Sequence, residues 1–346
     1  GSSDFFLDIR LQGTTGSASR GPTPGARNSV YADNLPPQIR QVSHDPEEPV
    51  SGRPVRITAR VTDPDGVAAV TVEYQLFEPG DYIELGDPLY QTKWVSSSMN
   101  DAGRDGDVAA ADGTYTAELP ASLQMHRRLV RYRISARDAG GRIVTVPYAD
   151  DPEPNFAYFV YDGVPPWSGA IQPNGTDAAK RQVITYGTNV TRRLPVYHLL
   201  SKKSSVEQAT WIERYGGDLY KWKGALVYDG KVYDHIRYRA RGGVWRYSMG
   251  KNMWKFDFNR GHSFQARDNF GKKYKTTWTK LNLGACIQQA DYLHRGEQGL
   301  FESVGFRLFN LAGVETPYTH FIQFRIIDEP AESDPANQYH GDLWGL

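Results

Sequence analysis

The sequence contains one cysteine among its 346 residues, Cys286. A single thiol excludes an internal disulfide and a zinc site built from cysteines alone, and we expect Cys286 to be a small buried thiol. Neither sign of charge is in excess, since 40 lysines and arginines balance 40 aspartates and glutamates. A dedicated nucleic-acid-binding protein usually carries a strong basic excess, so this balance argues against one.

Long apolar runs are also missing. No stretch approaches the roughly 18 apolar residues that a membrane-spanning helix needs.

The start at Gly1 has neither an initiator methionine nor a signal-peptide pattern, and the end, Tyr339–Leu346, stops in an apolar run just after a turn. We therefore expect the chain to be a segment of a longer protein. At about one domain per 150 residues, its length predicts two or three domains.

Residues 37–163 have the sequence pattern of a β-sandwich. Short segments alternate apolar and polar residues and are separated by Pro, Gly and Asp, for example in Val55–Val61, Ala69–Leu76 and Leu129–Ser135. The pattern resembles the immunoglobulin-like or fibronectin-III-like modules of bacterial surface proteins. From Pro37 to Asp162 there are 12 basic and 20 acidic residues, a balance that repels nucleic acid and anionic lipid.

An acidic loop in this region, Asn100–Asp107 together with Asp112, contains the hard oxygen ligands that calcium prefers. Its spacing does not fit an EF-hand loop, and Asp, Asn and Gly are also ordinary turn formers. The sequence leaves both interpretations open.

Residues 1–36 are predicted to be the end of a preceding β-module and a linker. Phe5–Leu11 has the alternation of a strand, and Gly13–Arg27 is a Gly/Ser/Thr/Pro-rich stretch without periodicity. Within it and just beyond, Pro22–Ser29 resembles the closing segment of bacterial lamin-tail-like domains.

After a second linker, residues 164–189, the pattern changes to that of an α+β domain over residues 190–346. The amphipathic spacing of Phe301, Val304, Leu308 and Leu311 predicts a helix closed by Gly313. The predicted elements are strands at Leu194–Leu200, Gly224–Ala240 (two strands with a turn at Asp229-Gly230), Trp254–Phe258 and Tyr318–Ile327, and helices at Ser204–Tyr215 and Glu297–Ala312.

Basic residues are concentrated in this second domain. Residues 231–280 contain 13 basic and 3 acidic residues. Arg237, Arg239 and Arg241 alternate, so in a strand they project from one face, and the next strand, with Lys251 and Lys255, is expected to pair with it as a hairpin. Such a cationic hairpin suits the phosphates of a nucleotide, because guanidinium groups bind phosphate oxygens bidentately. A solvated basic face paired with neighbouring acids is the alternative.

Five elements, spread over residues 190–346, resemble the spore-coat CotH kinase-like family in order and spacing. They are His235–Trp245, Lys251–Phe258, Lys280–Leu283, the helix end Leu308–Gly313, and Pro317-Tyr318-Thr319 before the last strand. The resemblance implies that this domain is an atypical protein-kinase-like N-terminal lobe. The fold class expected for the chain is thus multidomain, with an all-β immunoglobulin-like sandwich followed by this α+β lobe.

The resemblance also implies a function and site residues. The family transfers the γ-phosphate of ATP to Ser or Thr of a protein substrate with a divalent metal, Mg or Mn, outside the cell or on its surface. Lys255 would pair with the phosphates, with Lys251 as second choice, while Arg239 and Arg241 would lie over them and Glu302 would orient the lysine. The catalytic and metal-binding aspartates of the family are expected beyond Leu346, so this fragment is expected to be inactive alone.

Two departures weaken the residue assignments. Lys251-Asn252 stands where the family has paired lysines, and Val244-Trp245 replaces a serine. The competing hypothesis is a non-catalytic surface adhesion or binding protein with a degenerate kinase-like scaffold. Several aromatic side chains suit that reading: Trp211, Trp222, Trp245 and Trp254.

Overall fold

The structure is a computed structural model that describes residues 34–170, 176–210, 221–242, 252–286, 299–333 and 341–345. It is mostly β-sheet, arranged in several sheets. The first elements are β1 Gln38–Asp45, β2 Val55–Thr62, β3 Val67–Phe77, α1 Pro88–Thr92, β4 Val95–Met99, β5 Thr114–Leu119, β6 Leu129–Asp138, β7 Ile143–Val146 and β8 Phe156–Phe159. The later elements are β9 Trp167–Gly169, α2 Ala178–Arg181, β10 Ile184–Tyr186, α3 Thr188–Thr191, β11 Val196–Leu200, α4 Lys203–Thr210, β12 Trp222–Tyr228, β13 Lys231–Arg241, β14 Met253–Asp257, β15 Lys280–Leu283, α5 Gly299–Leu311, β16 Gln323–Ile327 and β17 Leu343–Gly345.

Two antiparallel sheets form a sandwich from β1 to β8. One has the order β1-β2-β5, and the other has the order β4-β3-β6-β7 with β8 also paired to β6. The inward residues of β2, namely Val55, Ile57, Ala59 and Val61, are buried against β3 and β6 of the facing sheet. Their spacing of two is the alternation seen in the sequence, because successive side chains of a strand point to opposite faces. The predicted sandwich pattern is therefore confirmed.

A seven-stranded sheet follows, with the order β15-β14-β13-β12-β11-β16-β17. Strands β11 and β16 are parallel, and the other neighbours are antiparallel. One face carries an aromatic core that includes Tyr197, Tyr233, Trp254 and Phe256 and is covered partly by Val206 of α4. The predicted turn at Asp229-Gly230 is confirmed, since β12 ends and β13 begins on either side of it.

The opposite face of this sheet packs against the outer face of the sandwich. The apolar contact joins sandwich residues Phe77, Tyr82, Ile83, Tyr90, Leu129 and Phe159 to sheet residues Leu200, Ala225, Val227, Val232 and Ile327. At one side of this patch, Arg127 of the sandwich donates two hydrogen bonds to the carboxylate of Asp342, at 2.8 and 2.5 Å. Beside it, His126 and Glu332 lie 2.9 Å apart. Both apolar and ionic contacts therefore hold the sandwich to the sheet.

Helix α5 confirms the predicted amphipathic helix. It spans Gly299–Leu311 and is followed by Gly313, whose φ of 81° is the left-handed conformation expected after a helix. Phe301, Leu308 and Leu311 are nevertheless more than half exposed. No helix among the described residues has the length and apolar composition to cross a bilayer.

Two further expectations concern single features. Cys286 is partly exposed, so the prediction of a buried thiol is wrong.

In the acidic loop, both carboxylate oxygens of Asp101 accept backbone N–H groups, and Asp107 accepts from Gly103 N–H and the Thr116 hydroxyl. The described residues contain no group of three or more His, Cys, Asp or Glu side chains placed to hold a metal ion. The loop is thus built as a turn.

Gly224 in β12 provides a test of packing at the centre of the seven-stranded sheet. A Cβ there would lie 2.7 Å from the carbonyl oxygen of Leu200 and 3.2 Å from the ring of Tyr238. We expect Gly224→Ala to lower the free energy of unfolding by about 1–3 kcal/mol, because backbone and ring must move. The control is Gly86→Ala, where a Cβ meets nothing within 4 Å. Equal stabilities of the two variants in urea unfolding would contradict this account.

Candidate functional site

The candidate site lies on β13, at the face of the sheet that also meets the sandwich. Ile236 and Tyr238 of β13 point into the aromatic core. Arg237, Arg239 and Arg241 alternate with these residues, so they lie on the other face. The prediction that the three arginines share one face is confirmed.

The strand register places like charges directly opposite each other. Arg239 is paired with Lys255 of β14, and Arg237 is paired with Lys223 of β12. The Cβ atoms of such pairs are about 4.5–5.5 Å apart, and like charges at this position destabilise a sheet. Partial desolvation, and after it the charge of Arg237, lower the pKa of Lys223. Arg239 is only 8% exposed. The positive charges here are therefore concentrated on a partly dehydrated surface.

Asp257 is an acidic residue at the end of β14, on the same face as Lys255. It lies opposite Arg237 and forms an ion pair with Lys221. Burial alone would raise the pKa of Asp257, but Lys221, Lys255 and Arg237 outweigh burial and lower it. One carboxylate thus faces several cations. We call the surface formed by Lys223, Arg237, Arg239, Arg241 and Lys255 the cationic face.

The remaining predicted site residues have different outcomes. Lys251 lies outside the described residues. Glu302 lies on an exposed turn of α5, and its carboxylate is 3.7 Å from the position of a Cβ at Gly284. Gly284 follows β15, in which Asn282 pairs with Lys255. Glu302 is thus near the strand end beside Lys255, but among the described contacts no salt bridge joins these two side chains.

A buried polar centre on the same strand was not foreseen from the sequence. Asp234 of β13 accepts hydrogen bonds from Nε and Nη2 of Arg131 in β6, at 2.6 and 3.0 Å. It also accepts from the Tyr82 hydroxyl at 2.7 Å and from Asn155 Nδ2 at 2.9 Å. Burial would raise the pKa of Asp234, but Arg131 outweighs burial and holds it well below its usual range. This centre anchors β13 to the sandwich.

The neighbouring His235 belongs to the same centre. Its Nε2 is 2.8 Å from the side-chain amide oxygen Oδ1 of Asn155, and its φ of 52° places it in the left-handed region. Burial lowers the pKa of His235 to about 3, because the charged imidazolium would be desolvated. His235 is therefore neutral at physiological pH and has a structural position.

A comparison of the chain with known protein families and with curated proteins finds no match. The resemblance to the CotH kinase-like family therefore remains a prediction, carried by the sequence elements given above. The geometry itself establishes a positively charged stretch on the sheet face that also meets the sandwich, and a buried ion pair anchors the same strand, β13, to the sandwich. Such a face can bind an anion through charge and through guanidinium hydrogen bonds.

Proposed function

We propose that the chain is part of an atypical protein kinase of the CotH-like kind, which transfers the γ-phosphate of ATP to Ser or Thr. In this proposal the sandwich is an immunoglobulin-like module and the seven-stranded sheet is the N-terminal kinase lobe. The observation that carries the proposal is the register of Arg239 against Lys255. Cations brought together on one sheet face can bind the oxygens of one polyphosphate, and guanidinium groups do so bidentately.

The residues of the cationic face have separate tasks in this proposal. Arg239 and Arg241 would bind phosphate oxygens bidentately, and Lys255 would supply a point charge. Glu302 would reach Lys255 after a movement of its exposed side chain and orient it. ATP with Mg or Mn would supply the transferable phosphoryl group, whose transfer depends mainly on positioning and charge stabilisation. The metal ligands are not assigned to any described residue.

The setting of the proposed enzyme follows from the same resemblance. We place it outside the cell or on the cell surface, with a protein carrying Ser or Thr as substrate. The acidic balance of residues 37–162 is consistent with a sandwich that takes no part in nucleic-acid binding.

The test is thermal stabilisation by ATP with Mg. A ligand at 100 times its Kd stabilises the folded state by about 2.7 kcal/mol. We expect ATP to raise the melting temperature of the wild type, and Lys255→Ala and Arg241→Ala to remove most of this rise. The matched control is Arg137→Gln, an exposed arginine on β6 of the sandwich, which should keep it. Equal stabilisation of all four proteins would refute the nucleotide assignment to the cationic face.

The exposed apolar stripe of α5 favours a second candidate, a protein-binding role without catalysis. Exposed contiguous apolar side chains commonly mark protein contacts, and Phe301, Leu308 and Leu311 provide them here. Phosphate transfer separates the candidates. Incorporation of labelled γ-phosphate into a protein substrate by the full-length protein supports the kinase, whereas nucleotide-independent capture of a partner without incorporation supports the binding protein.

A further inference from the structure

A groove of about 740 Å³ lies where the sandwich meets one end of the seven-stranded sheet. Both parts of the chain line it: the β1–β2 loop and the segment after β8 from the sandwich, and the segments before β11 and after β12 from the sheet. Small-molecule and peptide sites commonly have volumes of about 300–1,000 Å³ and commonly form between domains. The groove is separate from the cationic face, because none of the residues that line the groove belongs to that face.

The floor of the groove is aromatic. Phe159 and Tyr161 stack with their ring centroids 5.5 Å apart, and Tyr161 meets the imidazole of His198 edge-on at 4.4 Å. His198 is 5% exposed. Within the part of the chain that the structure describes, neither His198 Nε2 nor the Tyr161 hydroxyl has a hydrogen-bond partner. Buried polar atoms usually have such partners, but both of these atoms are enclosed within the protein, so the floor offers a ligand its ring surfaces.

The walls of the groove carry opposite charges from the two parts of the chain. Glu47 and Glu48 are exposed lining residues contributed by the sandwich, and Arg192 and Arg193 are exposed lining residues contributed by the segment before β11. The Nε of Arg193 donates to the carbonyl of Asn189 at 3.1 Å, which fixes the stem of that side chain. No salt bridge joins these glutamates to these arginines in the described structure, so both walls remain available to a ligand.

The other acidic residues of the groove already have partners. Asp229 binds Nε of Arg267 with both carboxylate oxygens, at 2.7 and 2.8 Å. Asp268 accepts the backbone N–H groups of Phe270 and Lys272, each at 2.9 Å. The charges left for recognition are therefore two carboxylates and two guanidinium groups.

We propose that this groove binds a short extended peptide with an apolar or aromatic residue between a basic and an acidic one. The apolar side chain would lie on the floor formed by Phe159, Tyr161 and His198. The basic residue would meet Glu47 and Glu48, and the acidic residue would meet the arginines. A purely anionic or purely cationic ligand would satisfy one wall and be repelled by the other.

The test uses three acetylated, amidated tripeptides titrated into the protein and followed by calorimetry. Acetyl-Lys-Phe-Glu-amide and acetyl-Glu-Phe-Lys-amide cover both chain directions, and acetyl-Gln-Phe-Gln-amide is the neutral control. We expect at least one charged peptide to bind about tenfold more tightly than the neutral one, since two exposed ion pairs contribute up to about 1 kcal/mol each. Equal affinity of all three, or binding by none, would overturn the proposal.

Two charge variants locate the site. Glu47→Gln/Glu48→Gln and Arg192→Gln/Arg193→Gln should each weaken the preferred charged peptide about fivefold and leave the neutral peptide unchanged. The substituted side chains are exposed, so both proteins should keep the wild-type melting temperature. A charged peptide that binds both variants as tightly as the wild type would show that the groove is not its site. Lys255→Ala should bind it normally, which separates this proposal from the nucleotide site.

Discussion

Arg131→Met is expected to lower the free energy of unfolding by about 3–5 kcal/mol, because it leaves the buried carboxylate of Asp234 without its counter-charge. Arg131 is fully buried, and Asp234 is 1% exposed. The Arg131 guanidinium also donates to the carbonyl of Ile83 at 2.8 Å and lies over the ring of Phe77, 4.5 Å from its centroid. Methionine would retain some of the packing but none of the charge or hydrogen bonds.

The matched control for this variant is Arg56→Gln. Arg56 pairs with Asp45 at 2.8 Å, but the two side chains are 39% and 70% exposed, and exposed pairs contribute about 0–1 kcal/mol. Chemical unfolding of both variants measures the difference. A second variant, Arg131→Met/Asp234→Leu, should be more stable than Arg131→Met alone, since it removes the unpaired charge. If Arg131→Met loses no more stability than Arg56→Gln, the buried pair does not hold the two parts together.

The second large effect is a pH dependence that resides in His235. Burial lowers its pKa to about 3 in the folded protein, whereas an unfolded histidine has a pKa of about 6.5. Below about pH 6.5 the unfolded state therefore binds a proton that the folded state does not. The stability contributed by neutral His235 is complete above this pH and is lost as the pH falls toward about 3. The loss approaches about 1.4 kcal/mol per pH unit.

The measurement compares urea unfolding of the wild type and His235→Asn between pH 8 and pH 4.5. Asparagine tolerates the positive φ at this position. Above about pH 6.5 we expect the free energies of unfolding of the two proteins to change in parallel. As the pH falls over the next two units, we expect the wild type to lose about 2.7 kcal/mol more than the variant. The comparison is made between proteins because Glu153 acts in the opposite direction: burial raises its pKa to about 8, so its stabilising contribution is lost as pH rises. Identical pH profiles would show that His235 does not titrate in this way.

Local sequence patterns predicted much of the architecture. The alternation in Val55–Val61 gave a strand with one buried face, and Asp229-Gly230 gave the turn of a hairpin. Both predictions depend on residues that are close together in the chain, so the sequence alone is enough to make them. The short helix α1 and strand β4 were not predicted, although Asp87-Pro88 is the N-cap and first-turn proline of a helix start. Their positions depend on contacts with distant residues, such as Tyr90 with Asn155.

The candidate site was predictable on one strand but not between strands. Alternation places Arg239 and Arg241 on one face, but the register that sets Arg239 opposite Lys255 depends on the connection between β13 and β14. No pattern in the sequence indicates that Arg131 is buried. Its place in Leu129–Ser135 predicts an outward side chain, which is correct for the sandwich alone. The segment between β3 and β4, through Tyr82 and Ile83, and the packing of the seven-stranded sheet together remove Arg131 from water.

The pairing of Arg131 with Asp234 also constrains how this protein can evolve. The two residues are 103 positions apart in the chain, yet neither charge can be lost alone without leaving the other unpaired in a dry interior. Substitutions at the two positions are therefore coupled, and a lineage can pass from the ion pair to an apolar pair only through a poorly folded intermediate or by a simultaneous change. Sandwich and sheet should consequently be inherited together. If recombination replaced one of the two parts, the new part would need a residue that can pair with the Arg131 or Asp234 that remains.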